Sequence, residues 1–208
     1  MSPTPAERVR PGSTDRTRVR RLPELAVTDP QVLYDILDAG RVAHVATVDA
    51  EAQPYVVPVA YARMGDDVVF HGSTGSRLFR SLAEGQSTCL TVTLLDGLVV
   101  ARSAFESSMN YRCAMVVGRA RRLDGDDELD GLRVITEHLL PGRWQDCRHP
   151  SAKERAATMV LALSLAEASV KVRTGDPDDD AADVSDPVYG RIWAGHVPIG
   201  EQHFGPVA

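Results

Sequence analysis

From Val42 to Val172 the chain repeatedly gathers β-branched and aromatic residues into short runs and separates them with polar turns. That pattern commits most of it to antiparallel strands. Val42 to Val48 and Tyr55 to Ala62 flank the polar segment 49–54, and Gly65-Asp66-Asp67 leads into a strand over 68–71. Thr88 to Leu95 and Leu98 to Ala104 flank Asp96-Gly97, a dipeptide that predicts a tight hairpin. Met115 to Leu123, Met159 to Val172 and Ile192 to Ile199 supply further β-rich stretches. Helical spacing interrupts them. Asp29-Pro30 opens a helix with Val32, Leu33, Ile36 and Leu37 on its apolar stripe and Gly40 as its stop. A helix follows Ser76, another runs over 126–140, and a short one lies within 151–158. Six or more antiparallel strands with inserted helices predict a mainly β fold closed into a barrel.

Asp67 to Leu82 changes character halfway. Val68, Val69 and Phe70 favour a strand, Gly72 to Gly75 break it, and Leu78, Phe79 and Leu82 recur at helical spacing. Ser73, Thr74 and Ser76 offer hydroxyls, and Arg77 offers a planar cation at a helix start, so one phosphate group suits the loop. A serine-rich turn that only caps a helix reads equally well. The loop lacks the Gly-Lys-Ser/Thr ending of a nucleotide-triphosphate loop, and no Gly-x-Gly-x-x-Gly fingerprint accompanies it.

Charge narrows the partners. The net charge is -6, yet Arg8, Arg10, Arg16, Arg18, Arg20 and Arg21 face only Glu7 and Asp15 near the N-terminus. The rest of the chain carries 17 Lys and Arg against 27 Asp and Glu, a net of -10. Such a body repels nucleic acid. Residues 1–24 read as a flexible Arg-rich tail and 25–208 as one domain, with the aspartate-rich segment 176–186 as a solvated loop. No run is long and apolar enough for a membrane helix and no signal core opens the chain, which predicts a soluble, cytoplasmic protein. Cys89, Cys113 and Cys147 are odd in number and widely spaced, which predicts reduced thiols; with no histidine pair at ligand spacing, no metal site is expected.

Several motifs then occur in order between Thr28 and Pro198. They are Gln53-Pro54-Tyr55-Val56-Val57-Pro58-Val59-Ala60-Tyr61, Phe70-His71-Gly72 with Ser76-Arg77, Asp96 to Ser103, Ser108-Met109-Asn110-Tyr111-Arg112, Lys171 to Gly175, and Trp193 to Pro198. Together they resemble the FMN-binding split-barrel superfamily of pyridoxamine 5'-phosphate oxidase, nearest to its nitroimidazole-resistance-like branch. The resemblance implies a six-stranded antiparallel split barrel, FMN as cofactor, and a homodimer with flavin sites at the subunit interface. It places the flavin phosphate on Ser76 and Arg77, beside Gly72 and Ser73, and the ring along the Val57-Pro58-Val59-Ala60 backbone. A plain core strand is the other reading of those four residues.

By the same resemblance Ser107, Asn110, Tyr111 and Arg112 approach the flavin from the partner chain, and Asn110-Tyr111 reads equally as a turn. His71 falls where that branch carries an active-site histidine; it either moves a proton or simply hydrogen-bonds beside the cofactor. Trp193 packs on the flavin or anchors the last strand. Leu78 stands where true pyridoxamine phosphate oxidases carry a cation, and no Arg-Leu-His-type motif follows Trp193, so vitamin B6 oxidation is not implied. The function implied is an FMN-dependent oxidoreductase passing electrons from a nicotinamide donor to a small electrophile such as a nitroaromatic. The alternatives are a flavin carrier or sensor without turnover, and the same barrel holding deazaflavin or haem.

Overall fold

The computed structural model describes residues 9–49 and 51–202. In chain order these form β1 (Ala26–Val27), α1 (Pro30–Ala39), β2 (Val42–Val48), β3 (Pro54–Met64), β4 (Asp67–Ser73), α2 (Arg77–Ala83), β5 (Ser87–Val100) and β6 (Ser108–Arg119). Then come β7 (Arg121–Leu123), α3 (Gly125–Leu139), α4 (Ala152–Ala157), β8 (Thr158–Ser164), β9 (Ala168–Arg173), α5 (Ala181–Ser185) and β10 (Gly195–Pro198). The described strands number ten, in the order β1-β9-β6-β5-β2-β3-β4-β8-β7, with β10 on β5. The six strands that the resemblance implies are an undercount: β1 and β7 are too short to show a period and the 159–172 run folds back on itself as β8 and β9, while the strand expected within 192–199 is present as β10.

Two compact units divide the chain: the larger holds residues up to Thr93 with Cys113–Lys171, the smaller Leu94–Arg112 with residues from Val172 onward. In the larger unit α1 starts at Asp29, whose carboxylate accepts from Gln31 N at 2.8 Å, and it buries Leu33, Ile36 and Leu37. Tyr61 donates to Leu37 O at 2.7 Å, which ties this helix to β3. On the other side α3 packs Leu132 and Ile135 against Val69, Val160 and Ala162. Burial of side chains of this size supplies about 1.5–3 kcal/mol each, enough to make this the rigid frame.

That frame is open at one place. β3 pairs with β2 over residues 54–60 and with β4 only over 61–64. β4 keeps β8 as partner from Asp67 to Ser73 but meets β3 only as far as Phe70. Beyond Ala60 and His71 the two strands part, and both present backbone groups to a seam. Pro58, which lacks a backbone donor, stands opposite His44 in the β2–β3 ladder, on the part of β3 that has no β4 partner.

In the smaller unit the expected hairpin at Asp96-Gly97 is absent. β5 runs straight through it from Ser87 to Val100. Gly97 has no positive φ and sits opposite Pro198 in the β5–β10 ladder; a Cβ there would lie 2.9 Å from Val197 O. Glycine serves a close backbone approach here, not a turn. Asp96 meanwhile accepts two bonds from Arg112, at 2.9 and 2.7 Å. Gly97→Val is expected to open the β10 pairing, read as faster hydrogen exchange at the His196 and Val197 amides; unchanged protection would contradict this register.

Two stretches that the sequence leaves to solvent are built into the structure. Residues 1–8 of the expected tail lie outside the described residues, but Val9 and Thr17 are buried, Gly12 N donates to Ala168 O at 2.7 Å and Arg16 pairs with Glu167. The aspartates of 176–186 act locally: Asp180 caps α5 through Ala182 N at 2.8 Å, and Asp186 accepts from Val188 N and Tyr189 N at 2.7 and 2.8 Å. Composition registers charge, whereas these carboxylates are consumed as acceptors for backbone donors.

Candidate functional site

The seam of the larger unit gathers the residues with a chemical use. Of the β3 quartet only Val59 belongs to the core; Val57 and Ala60 are half-buried and Pro58 is exposed, so this is not simply a core strand. Across the gap stand His71, Gly72 and Ser73 at the end of β4. At its far end the Arg77 guanidinium lies 4.9 Å over the Tyr55 ring, so the start of α2 meets the start of β3. The seam is therefore open along its length and closed by a cation stacked on an aromatic ring.

Beneath it the packing is apolar and tight. The Phe79 ring occupies the space next to Gly72, where a Cβ would sit 2.3 Å from it, and it meets Phe70 edge-on with centroids 5.8 Å apart. The loop above is held by its own atoms and by the end of α4: Ser73 Oγ accepts from Gly75 N at 3.1 Å, Ser76 N donates to Ser73 O at 2.9 Å, and Thr74 N donates to Ala157 O at 3.0 Å. Ser73 and Thr74 thus spend their polar groups on the loop. Ser76 stands at the cap position of α2 without using its hydroxyl there. Arg77 is exposed and has no carboxylate partner among the described residues. An anion fits Ser76 and Arg77 through side chains; a helix of seven residues adds little by its dipole.

Besides Arg102 Nε and Arg155 Nε, two buried side-chain polar atoms lack partners among the described residues, Tyr55 Oη and His71 Nδ1. Both belong to residues on the parted strands, and a folded protein rarely leaves such groups unsatisfied. Burial holds the His71 pKa below its usual 6.5, so the imidazole is neutral near pH 7. The unfolded chain binds this proton more readily than the folded one. Its stabilising contribution is accordingly complete above pH 6.5 and is lost as the pH falls from there towards the lowered value. An NMR titration should place the His71 midpoint below 6.5 in ligand-free protein; a midpoint at or above that value would contradict the burial of this ring.

The remaining predicted residues lie in the smaller unit. Asn110 is in β6, not a turn, and is buried; its amide donates to Gly175 O at 2.9 Å and accepts from Arg173 at 2.6 Å. Arg112 is engaged by Asp96. Ser107 Oγ accepts from Ala101 N at 3.2 Å and donates to Ser103 O at 3.0 Å, and Tyr111 is half-buried. Trp193 is 60% exposed, which makes it a poor anchor for β10. Sequence reasoning gave Tyr55 and Asp179 no role: the first is found only through its stack with Arg77, the second only through its buried pairing with Arg102.

Comparison with known proteins places this geometry. The sequence model of the pyridoxamine 5'-phosphate oxidase family matches residues 29–172, which include every element that forms the seam. This chain belongs to the pyridoxamine 5'-phosphate oxidase family. The flavocytochrome Anf3 from Azotobacter vinelandii is 44% identical, with 94% of this chain and 89% of that one covered at a TM-score of 0.86. A FAD and haem binding protein from Mycobacterium smegmatis is 39% identical, with 88% of each chain covered and a TM-score of 0.82. A Bacteroides thetaiotaomicron protein described by 5-nitroimidazole antibiotic resistance shares the fold at 22% identity, 71% and 86% coverage and a TM-score of 0.60. No curated protein matches the chain. The family and its flavin-binding relatives support a flavin cofactor. Among the described residues no helix is long and apolar enough to cross a membrane.

Proposed function

We propose that this chain is a flavin-dependent redox protein that holds its cofactor in the seam between β3 and β4 and passes electrons from a nicotinamide donor to a small electrophile. The observation that carries this reading is the parting of the two strands beyond Ala60 and His71, which leaves backbone donors and acceptors facing a gap ended by Arg77 on Tyr55. Ser76 and Arg77 hold the phosphate, the Val57 to Ala60 backbone with Gly72 lines the ring, and Tyr55 Oη and His71 Nδ1 meet polar atoms. A bound flavin supplies hydride or single-electron transfer. His71, neutral at pH 7, accepts or returns a proton on one ring nitrogen.

The functional form in this reading is a homodimer with flavin sites at the interface. Supporting it, the smaller unit exposes Phe105, Met109, Val188, Tyr189, Ile192 and Trp193 while burying few apolar side chains of its own. A unit with so little core is stabilised by what covers it. Ser107, Tyr111 and Trp193 then reach the partner's flavin, and Asn110 and Arg112 brace them.

The flavocytochrome and the FAD and haem binding protein, at 44% and 39% identity, favour a second reading, in which the flavin is FAD and haem accompanies it. In that reading His71, whose Nδ1 has no partner among the described residues, would be a candidate to hold the haem iron through an imidazole nitrogen. The test is the visible spectrum of the purified protein, followed by release and chromatography of whatever it carries. Flavin bands support the proposal, the released nucleotide distinguishes FMN from FAD, and an added Soret band selects the second reading. Protein that carries no flavin and binds neither FMN nor FAD would overturn it.

A further inference from the structure

We infer that Asp179 is a latch that positions the flavin-facing loop of the smaller unit, a role that rests on the flavin reading above. The aspartate-rich segment looks like a solvent-facing acid run, yet one of its members is different. The Asp179 side chain is only 7% exposed, and both of its oxygens point at one residue 77 positions away in the chain. Arg102 N donates to Oδ1 at 2.7 Å and Arg102 Nη1 donates to Oδ2. A single carboxylate thereby fixes the backbone and the side chain of Arg102 together.

Arg102 opens the loop that carries Ser107. Within that loop Ala101 N and Ser103 O hold the Ser107 hydroxyl, and Ser103 Oγ accepts from Glu106 N at 3.1 Å. The place of Ser107 is thus set by the residues on either side of Arg102. The same return segment braces the following strand, since Arg173 and Gly175 O bind the two ends of the Asn110 amide. Apolar packing contributes little here, because Val99 and Ala101 are the buried apolar side chains among the described residues of this unit. Polar contacts from one strap therefore define the loop. Paired charges of this kind add little net stability but select one arrangement over others.

Asp179→Asn keeps the shape and one acceptor while removing the charge. It is expected to loosen FMN or FAD binding about tenfold, and to lower the thermal midpoint of the ligand-free chain, because Arg102 is left without its counter-charge. Because Arg102 is itself a trypsin site, the same variant should be cut after Arg102 faster than wild type, with no flavin present. Faster cutting with unchanged flavin affinity would overturn the positioning role and leave a purely structural ion pair. Unchanged cutting would overturn the latch. A wild type that binds no flavin overturns the flavin reading, and the proposal falls with it. If Asp179→Asn does not fold, Arg102→Lys, which retains the charge and the backbone bond, is read in the same two assays, with the same direction expected and the same results decisive.

Discussion

Arg77→Ala is expected to weaken flavin binding by about 100-fold. A hydrogen bond to a charged group contributes about 1.5–3 kcal/mol, and each 1.4 kcal/mol is about tenfold in affinity. The upper part of that range applies because Arg77 has no carboxylate partner among the described residues to compensate the loss, and because the stack on Tyr55 holds the guanidinium ready. Arg77→Lys retains the charge but loses the planar fork, so it should fall between, at about tenfold. The fold should tolerate both changes, since the side chain is exposed. Quenching of flavin fluorescence on titration measures each value. Wild-type affinity in Arg77→Ala would remove Arg77 from the phosphate site.

The largest effect on stability is expected at Gly72. A methyl group there would meet the Phe79 ring at 2.3 to 2.6 Å, far inside contact distance, and β4 is held in place by its pairing with β8. Overpacking of a tight core costs about 1–3 kcal/mol, and the rigid setting puts Gly72→Ala at about 3 kcal/mol. In a chain of this size that lowers the melting temperature by about 6–12 °C. Phe79→Leu removes the obstructing ring edge. The double variant should therefore be less destabilised than the sum of the two single changes, a coupling that a thermal or denaturant cycle reads directly. Additive losses would show that the helix can shift to accept the methyl group.

Local pattern made the long elements legible. Val42 to Val48 is a strand with the expected bounds, and Asp29-Pro30 opens α1 as its cap and first turn require. The stretch from β4 into α2 is equally readable, which is why Ser76 and Arg77 stand out from residue type at a helix start, whereas His71 is marked only by the resemblance. What the chain order could not disclose is register. The same Asp-Gly that marks a hairpin elsewhere lies inside β5, because β10 and Arg112 use its surroundings from far along the sequence. The seam depends on where β3 stops pairing with β4, and nothing in the composition of Tyr55 to Ala62 marks that point. Asp179 is indistinguishable in sequence from its neighbouring aspartates; only its burial against Arg102 separates it.

Hydrogen exchange with and without bound flavin tests whether the flavin occupies the gap between the parted strands. Backbone amides on an unpaired edge exchange readily, while those in the ladders do not. Flavin binding is expected to slow exchange at those amides of 55–57, 59–60 and 71–73 that face the seam and donate into neither ladder, while leaving the amides bonded within the β2–β3 and β4–β8 ladders as they were. Flavin that binds tightly yet protects none of these amides would place the cofactor outside the seam.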